Sequence, residues 1–157
     1  MNKRIYVLSL IILLTATFTP QAFAEKLNPT EVTASSETSN HPVQYIHDNN
    51  LFTYWYGRDG NGPWRVTFDL GGICDLKKIK IYWKKIDKAK NVKKYTIKIA
   101  DEKGKGNWDV IHKNLKIPRS TEPGDSVSLD LSGHSARYVR IKIHDGNTPK
   151  EIGRAHV

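Results

Sequence analysis

The sequence predicts an all-β domain, a sandwich or barrel of antiparallel strands. Apolar and polar residues alternate in short segments, turn sequences rich in Gly, Pro, Asn and Asp separate those segments, and no window after residue 24 is convincingly helical. Such alternation puts apolar side chains on one face of a half-buried strand and polar ones on the other. The apolar positions are Val66, Phe68 and Leu70, then Ile79, Ile81 and Trp83, then Tyr95, Ile97 and Ile99, then Val127, Leu129 and Leu131, and finally Val139, Ile141 and Ile143.

The first 24 residues have the pattern of a secretory signal peptide. Lys3 and Arg4 give a positive start, residues 5–14 are apolar, and Ala22 and Ala24 form a small-x-small cleavage site. The apolar run is too short to cross a bilayer, so we expect a removable leader and no membrane span. The predicted organisation is a signal peptide at 1–24 and one domain at 25–150, secreted to the extracellular space or the periplasm.

Charge, cysteine content and the motifs that are missing argue against several classes of enzyme. The net charge is +9, and removal of Lys3 and Arg4 with the leader leaves +7, which favours polyanionic partners without naming one. Cys74 is the only cysteine, so no intramolecular disulfide can form. The six His residues lack the spacing of a zinc site, and neither a G-x-S-x-G motif nor a phosphate-binding loop is present. We therefore predict no catalytic residues in this chain.

The densest charge cluster is a lysine-rich segment between residues 77 and 94. On the strand that contains Ile79 and Ile81, Lys78 and Lys80 point to the opposite face. A solvated outer face and a binding face for polyanions both fit this pattern. The segment contains Lys77, Lys78, Lys80, Lys84, Lys85, Lys88, Lys90, Lys93 and Lys94.

Short motifs follow one another in a fixed order along the domain: VTASSE, HP, D-x-N-x-x-T-x-W, WRVTFDLG, IKIYW, YTIKIADEKGKGNW and ARYVRI. From Asn28 to Ile143 this series resembles the discoidin family, also called coagulation factor V/VIII type C, in its bacterial form. The resemblance implies an eight-stranded antiparallel jelly-roll sandwich. Many bacterial members are carbohydrate-binding modules attached to glycoside hydrolases. The resemblance therefore implies a non-catalytic, monomeric module that binds glycans rather than nucleic acid and targets a longer glycan-active protein. The alternative is an adhesion module that binds anionic polymers or cell surfaces through the lysine-rich segment.

The polar loop HDNNLFTYWYG has neither strand nor helix periodicity and offers several hard oxygen donors. In bacterial discoidin domains a loop with this spacing often holds a structural calcium ion, which takes carboxylate, amide, hydroxyl and carbonyl oxygens. Asn49 stands where the family usually has Gly, and Asn tolerates the left-handed conformation. The alternative is a network of Asx turns without an ion. The ligands that the resemblance implies for Ca2+ are Asp48, Asn50, Thr53 and the main-chain carbonyl of Tyr45.

Candidates for ligand binding are loop residues outside the strand alternation. They are His41 in the first loop, Tyr54 and Tyr56 on either side of Trp55, and Lys84, Lys85 and Asn91 after Trp83. Sugar-binding relatives commonly supply an Arg from that last loop. Lys cannot make the bidentate contact of Arg, so this departure argues against a galactose-type site. His41-Pro42 also fits a purely structural role. The four Trp residues, at positions 55, 64, 83 and 108, match framework positions and are predicted to lie in the core.

The last seven residues, EIGRAHV, show neither strand alternation nor resemblance to the family. The codons GAG ATC GGA AGA GCA CAC GTC, followed by TGA, would match a common short-read sequencing adapter read in frame. This favours a non-native tail at 151–157 on a truncated gene, and a divergent natural tail is the alternative. The jelly roll would then lack its last strand, and residues after about Asn147 would have no partner strand. The 47–53 loop would also lack a C-terminal carboxylate. We expect such a chain to be marginally folded or to aggregate.

Overall fold

The computed structural model describes residues 26–57, 63–83, 94–103, 106–117, 126–144, 151–152 and 154–157. The predicted signal peptide at 1–24 lies outside the described residues. The elements are β1 (Glu31–Ala34), a 3-10 helix (Val43–Ile46), β2 (Trp55–Tyr56), β3 (Trp64–Tyr82), β4 (Lys94–Ala100), β5 (Asp109–Lys116), β6 (Ser126–Ile143), β7 (Glu151–Ile152) and β8 (Arg154–His156). In these parts of the chain no helix has the length and apolar character needed to cross a membrane.

Antiparallel pairing organises the whole domain, which confirms the predicted fold class. The main sheet has the order β1-β3-β6-β4-β5, with β8 added along β3, and β2 pairs with β7 in a separate two-stranded sheet. In its centre Val66 of β3 is opposite Ile141 of β6, and Ile141 is also opposite Ile97 of β4. Apolar residues thus share one face across three strands, as period-two alternation requires.

The two longest strands form a ribbon that bends back on itself. β3 and β6 pair from Trp64↔Ile143 to Tyr82↔Ser126, with irregular register near the middle. A straight strand of this length would extend roughly 60 Å. Trp83, just beyond one end, nevertheless packs on Tyr95 with 5.0 Å between ring centroids, and Tyr95 is opposite Ile143 at the other end. The ribbon therefore folds over and encloses a core between two layers. The sequence predicts separate strands at 66–70 and 79–83, which here belong to one bent strand.

Gly71 allows the bend in β3. Its φ angle is +82°, and a Cβ atom at this position would lie 2.8 Å from Cγ2 of Thr30. A side chain would therefore be unfavourable both for the backbone conformation and for the contact with the segment before β1.

The core contains nearly all of the residues that the alternation predicts. Val127 and Leu129 are the exceptions, because both are only partly buried and pack against the core. Trp108 departs from the prediction, because it is partly exposed and its ring lies 3.6 Å from the guanidinium carbon of Arg140. It precedes β5 and is outside the alternation, so its ring packs against a cation instead of the core. The predicted positions that are buried are Val66, Phe68, Leu70, Ile79, Ile81, Trp83, Tyr95, Ile97, Ile99, Leu131, Val139, Ile141 and Ile143, together with Trp55 and Trp64.

The expectation that residues after about Asn147 lack a partner strand is wrong. β7 pairs with β2 through Trp55↔Ile152 and Tyr56↔Glu151, and β8 pairs with β3 at Lys80–Tyr82. Ala155 is 2% exposed. Backbone groups along a free strand edge can pair with any proline-free segment, so 151–157 needs no alternation to form strands. The proposed origin of these seven residues stays a prediction.

Candidate functional site

Backbone hydrogen bonds hold the first loop against β2. Tyr56 N donates to His41 O at 3.2 Å, and Thr38 N donates to Tyr56 O at 3.1 Å. Trp55 is wholly buried, and its indole Nε1 donates to the carbonyl of Ser36 at 3.1 Å. Because neighbouring strand residues point to opposite faces, anchoring Trp55 in the core turns the tyrosines on either side of it outward.

Three of the predicted ligand residues form an aromatic cluster, which we define as His41, Tyr54 and Tyr56. The imidazole of His41 stacks on Tyr54 with 4.0 Å between ring centroids and 23° between ring planes. Tyr56 presents its ring edge to His41 at 6.4 Å and 67°. All three side chains are partly exposed. The cluster therefore combines ring faces, which pack on apolar surfaces, with hydroxyl and imidazole groups that exchange hydrogen bonds.

The loop that carries His41 starts at the end of the sandwich where the two ends of β3 come together, opposite the bend at Gly71. The loop that contains His41 begins at Ser35, whose backbone N donates to Arg65 O at 2.9 Å, one residue from Trp64. Trp83 and Tyr95 are packed together at this same end. The other ligand candidates, Lys84, Lys85 and Asn91, belong to 84–93, which lies outside the described residues.

The Asp48 loop, residues 48–53, gathers oxygen atoms as the sequence predicts. Thr53 Oγ1 is 2.6 Å from Asp48 Oδ2 and 3.0 Å from the carbonyl oxygen of Asn50. Asn49 has φ +62°, which confirms that Asn accepts the left-handed conformation here. Tyr45 lies in the 3-10 helix that ends just before the loop.

The same loop also makes Asx turns with its own backbone. Asn50 N donates to Asp48 Oδ1 at 2.8 Å, and Phe52 N donates to Asn50 Oδ1 at 3.0 Å. Within the described part of the chain, no three His, Cys, Asp or Glu residues are grouped around a metal-sized position. The donor set of carboxylate, carbonyl and hydroxyl fits calcium, and the bonding pattern equally fits the ion-free alternative.

Phe52 was not among the candidates, although its side chain is 87% exposed. Its position follows from the Asx turn, because the hydrogen bond between Phe52 N and the Asn50 side chain keeps the residue at the tip of a polar loop. Large aromatic residues are uncommon at such exposed positions. The sequence could have indicated this exposed ring, because an aromatic residue inside a run of Asp, Asn and Thr is unusual.

A partly buried ion pair lies at the bend of the ribbon. Asp69 accepts hydrogen bonds from Arg137 Nε at 2.8 Å and Nη2 at 3.0 Å, and from Gly71 N at 2.8 Å. The hydrogen bond from Arg137 is the main reason that the pKa of Asp69 is lowered to about 2, against the opposing effect of burial. This pair joins β6 to the bend in β3, so its role is structural.

The family model for the F5/8 type C domain matches residues 31–156. The chain belongs to the F5/8 type C domain family. This confirms the resemblance to discoidin domains. Since these are binding modules rather than enzymes, the match also confirms the prediction that the chain itself is not catalytic.

Several solved structures with the same fold are bacterial carbohydrate-binding modules. A Clostridium perfringens module of family 32, in complex with GalNAc-β-1,3-galactose, has a TM-score of 0.70 and 19% identity over 84% of this chain and 98% of that chain. The family 32 module of NanJ from C. perfringens, in complex with galactose, has a TM-score of 0.67 and 17% identity over 81% and 91%. Chitosan-binding module 1 from the chitosanase/glucanase of Paenibacillus sp. IK-5 has a TM-score of 0.66 and 21% identity over 83% and 94%. At these identities the similarity shows the fold of this F5/8 type C domain alone.

Proposed function

We propose that this F5/8 type C domain binds a glycan at the aromatic cluster of His41, Tyr54 and Tyr56. The stacked, partly exposed rings of His41 and Tyr54 are the observation that carries the proposal. A sugar ring presents an apolar C–H face and a rim of hydroxyl groups, so it needs an aromatic surface with polar groups beside it. Three solved modules of the same fold, each with a glycan named as its ligand, support this class of partner.

We further propose that the domain is a targeting module of an exported protein. The basis is the leader pattern at 1–24 and the resemblance to modules attached to glycoside hydrolases. The presence of Lys84 and Lys85 where sugar-binding relatives often have Arg favours a glycan other than galactose.

Tyr54→Ala is expected to weaken glycan binding by about 10-fold or more, because loss of a stacking ring removes roughly 1 kcal/mol or more of contact energy. The measurement is titration of the purified domain with glycans selected on an array, and circular dichroism confirms the fold of each variant. Phe52→Ala is the control, since it removes an exposed ring two residues away that is not part of the aromatic cluster. Wild-type affinity in a folded Tyr54→Ala variant, or an equal loss with Phe52→Ala, would rule out the cluster as the site.

We also propose that the Asp48 loop holds a structural calcium ion. Asp48, Asn50 and Thr53 would supply carboxylate, carbonyl and hydroxyl oxygens, which lie together in the loop, and Tyr45 would add a carbonyl. When bound, the ion would link the loop to the 3-10 helix by electrostatic attraction to these oxygens.

Calcium is expected to raise the melting temperature of the domain, since an ion bound only by the folded state stabilises it by mass action. Thermal unfolding in millimolar calcium and in chelator measures the difference. Asp48→Ala should abolish it. Asp130→Ala is the matched control, because Asp130 accepts a similar backbone hydrogen bond, from Ser132 N at 2.9 Å, on an exposed strand segment. Identical melting curves with calcium and with chelator would show that the loop is an Asx-turn network.

A further inference from the structure

We propose that the outer face of strands β3, β6, β4 and β5 is a second binding surface, and that its partner is an acidic polysaccharide. This surface is separate from the aromatic cluster and does not depend on glycan binding there. The face is called the basic face below. Its cationic residues are Arg65, Lys94, Lys98, Lys116, Arg140 and Lys142.

The basic face is the polar side of the sheet. On β4, Tyr95, Ile97 and Ile99 are buried, so Lys94 and Lys98 point away from the core. On β6 the same alternation buries Ile141 and turns its neighbours on both sides outward. Cations from four strands are thereby brought onto one surface, although they are far apart in the sequence.

Three pairs of cations on this face are directly opposite one another in the register. Arg65 of β3 is opposite Lys142 of β6, Arg140 of β6 is opposite Lys98 of β4, and Lys94 of β4 is opposite Lys116 of β5. Like charges placed directly opposite destabilise an antiparallel pair. Three such pairs on one sheet face therefore oppose folding, and an anionic partner would remove that repulsion.

In the adjacent row of residues across the sheet, by contrast, acidic side chains are paired with basic ones. Glu31 forms an ion pair with Lys103 at 2.9 Å, and Asp69 forms one with Arg137 at 2.8 Å. Charges in that row are therefore balanced within the protein. Across the described ranges, no salt bridge joins a carboxylate to any of the six cations of the basic face.

Arg140 is held in place as a fixed cation at the centre of the face. Its guanidinium carbon lies 3.6 Å from the ring centroid of Trp108, and its Nε donates to Thr67 Oγ1 at 3.0 Å. Burial, and secondarily the charge of Arg65, lower the pKa of Arg140. The remaining guanidinium N–H groups can donate to an incoming carboxylate or sulfate without further ordering of the side chain.

The shape of the face indicates the kind of polyanion. Neighbouring strands are about 4.8 Å apart and alternate residues about 7 Å apart, so the cations occupy an area of roughly 14 Å by 14 Å. A polymer that carries a carboxylate or sulfate on each repeat can cross this area and meet several cations at once. Binding of single-stranded nucleic acid usually needs exposed rings for base stacking, and here the ring of Trp108 is covered on one side by Arg140. We therefore assign an acidic polysaccharide.

The test compares two double variants with the same change in net charge. Lys98→Gln with Lys142→Gln removes one member from two of the opposed pairs, and Lys77→Gln with Lys78→Gln removes two exposed lysines from the lysine-rich segment. Binding of the full chain is measured by titration with dextran sulfate, with polygalacturonate and with neutral dextran. The two acidic polymers distinguish sulfate from carboxylate recognition, and neutral dextran reports binding that needs no charge.

The Lys98→Gln, Lys142→Gln variant is expected to bind the acidic polymers about 10-fold more weakly, with a smaller salt dependence. Its melting temperature without polymer should equal or exceed that of wild type, because the repulsion is relieved. The control variant should lose little affinity, and binding of neutral dextran should be absent in all three proteins. The proposal is overturned if both variants lose affinity equally, if neither acidic polymer binds at low salt, or if duplex DNA binds more tightly than both. Loss of glycan binding in the Tyr54→Ala variant is a separate result and leaves this test unaffected.

Discussion

Replacing Trp55 by Ala is expected to destabilise the domain by about 3–5 kcal/mol, the usual cost of removing a buried aromatic side chain. Trp55 is wholly buried, and its Nε1 is hydrogen-bonded to Ser36 O. The substitution leaves a cavity and frees that carbonyl at the same time. It also removes the anchor that orients Tyr54 and Tyr56, so glycan binding should fall together with stability.

Thermal unfolding checks this result, and the melting temperature should fall by about 10 °C or more. Trp108→Ala is the matched control, since it removes the same side chain from a partly exposed position. There the main loss is a contact with Arg140, which for an exposed cation–π pair is worth about 0.5–1 kcal/mol. Equal decreases in the two variants would contradict the assignment of Trp55 to the core and Trp108 to the outer face.

Asp69→Asn is expected to cost about 1–3 kcal/mol at neutral pH, because it weakens the hydrogen bonds to a charged partner at the bend of the ribbon. The folded-state pKa of Asp69, about 2, lies below its ordinary value of 3.8, so the folded protein favours the ionised carboxylate. Its contribution to stability is fully present above the ordinary value and is lost as the pH falls from about 4 to about 2.

Urea unfolding at several pH values between 7 and 2 measures this contribution. The wild-type protein should lose stability in the acid range, and the Asp69→Asn variant should lack that part of the decrease. Asp109→Asn serves as the control, because it changes an exposed carboxylate at the start of β5 and should alter the free energy of unfolding by less than about 0.5 kcal/mol. Parallel pH profiles for wild type and Asp69→Asn would show that the ion pair does not stabilise the bend.

Local patterns predicted much of the fold and part of the candidate site. Alternation with period two depends only on neighbouring residues, so it identified the buried faces that contain Val66, Ile81 and Ile97. The stretch Tyr54-Trp55-Tyr56 likewise implied that the Trp ring turns inward and the two Tyr rings outward. The structure adds that His41 stacks on Tyr54. The predicted oxygen donors of the Asp48 loop also lie together, because they are within six residues of one another in the chain.

The sequence by itself determined the all-β class, the core alternation and the family, because these follow from residue spacing along the chain. Only the tertiary structure decided the course of the ribbon, the pairing of residues 151–157 and the position of Trp108. It also brought Arg65, Lys98 and Lys142 together from separate strands, whereas the charge cluster visible in the sequence is the contiguous segment between 77 and 94. Register between distant strands sets which charges are opposite one another, and register is a property of the folded sheet rather than of any one segment.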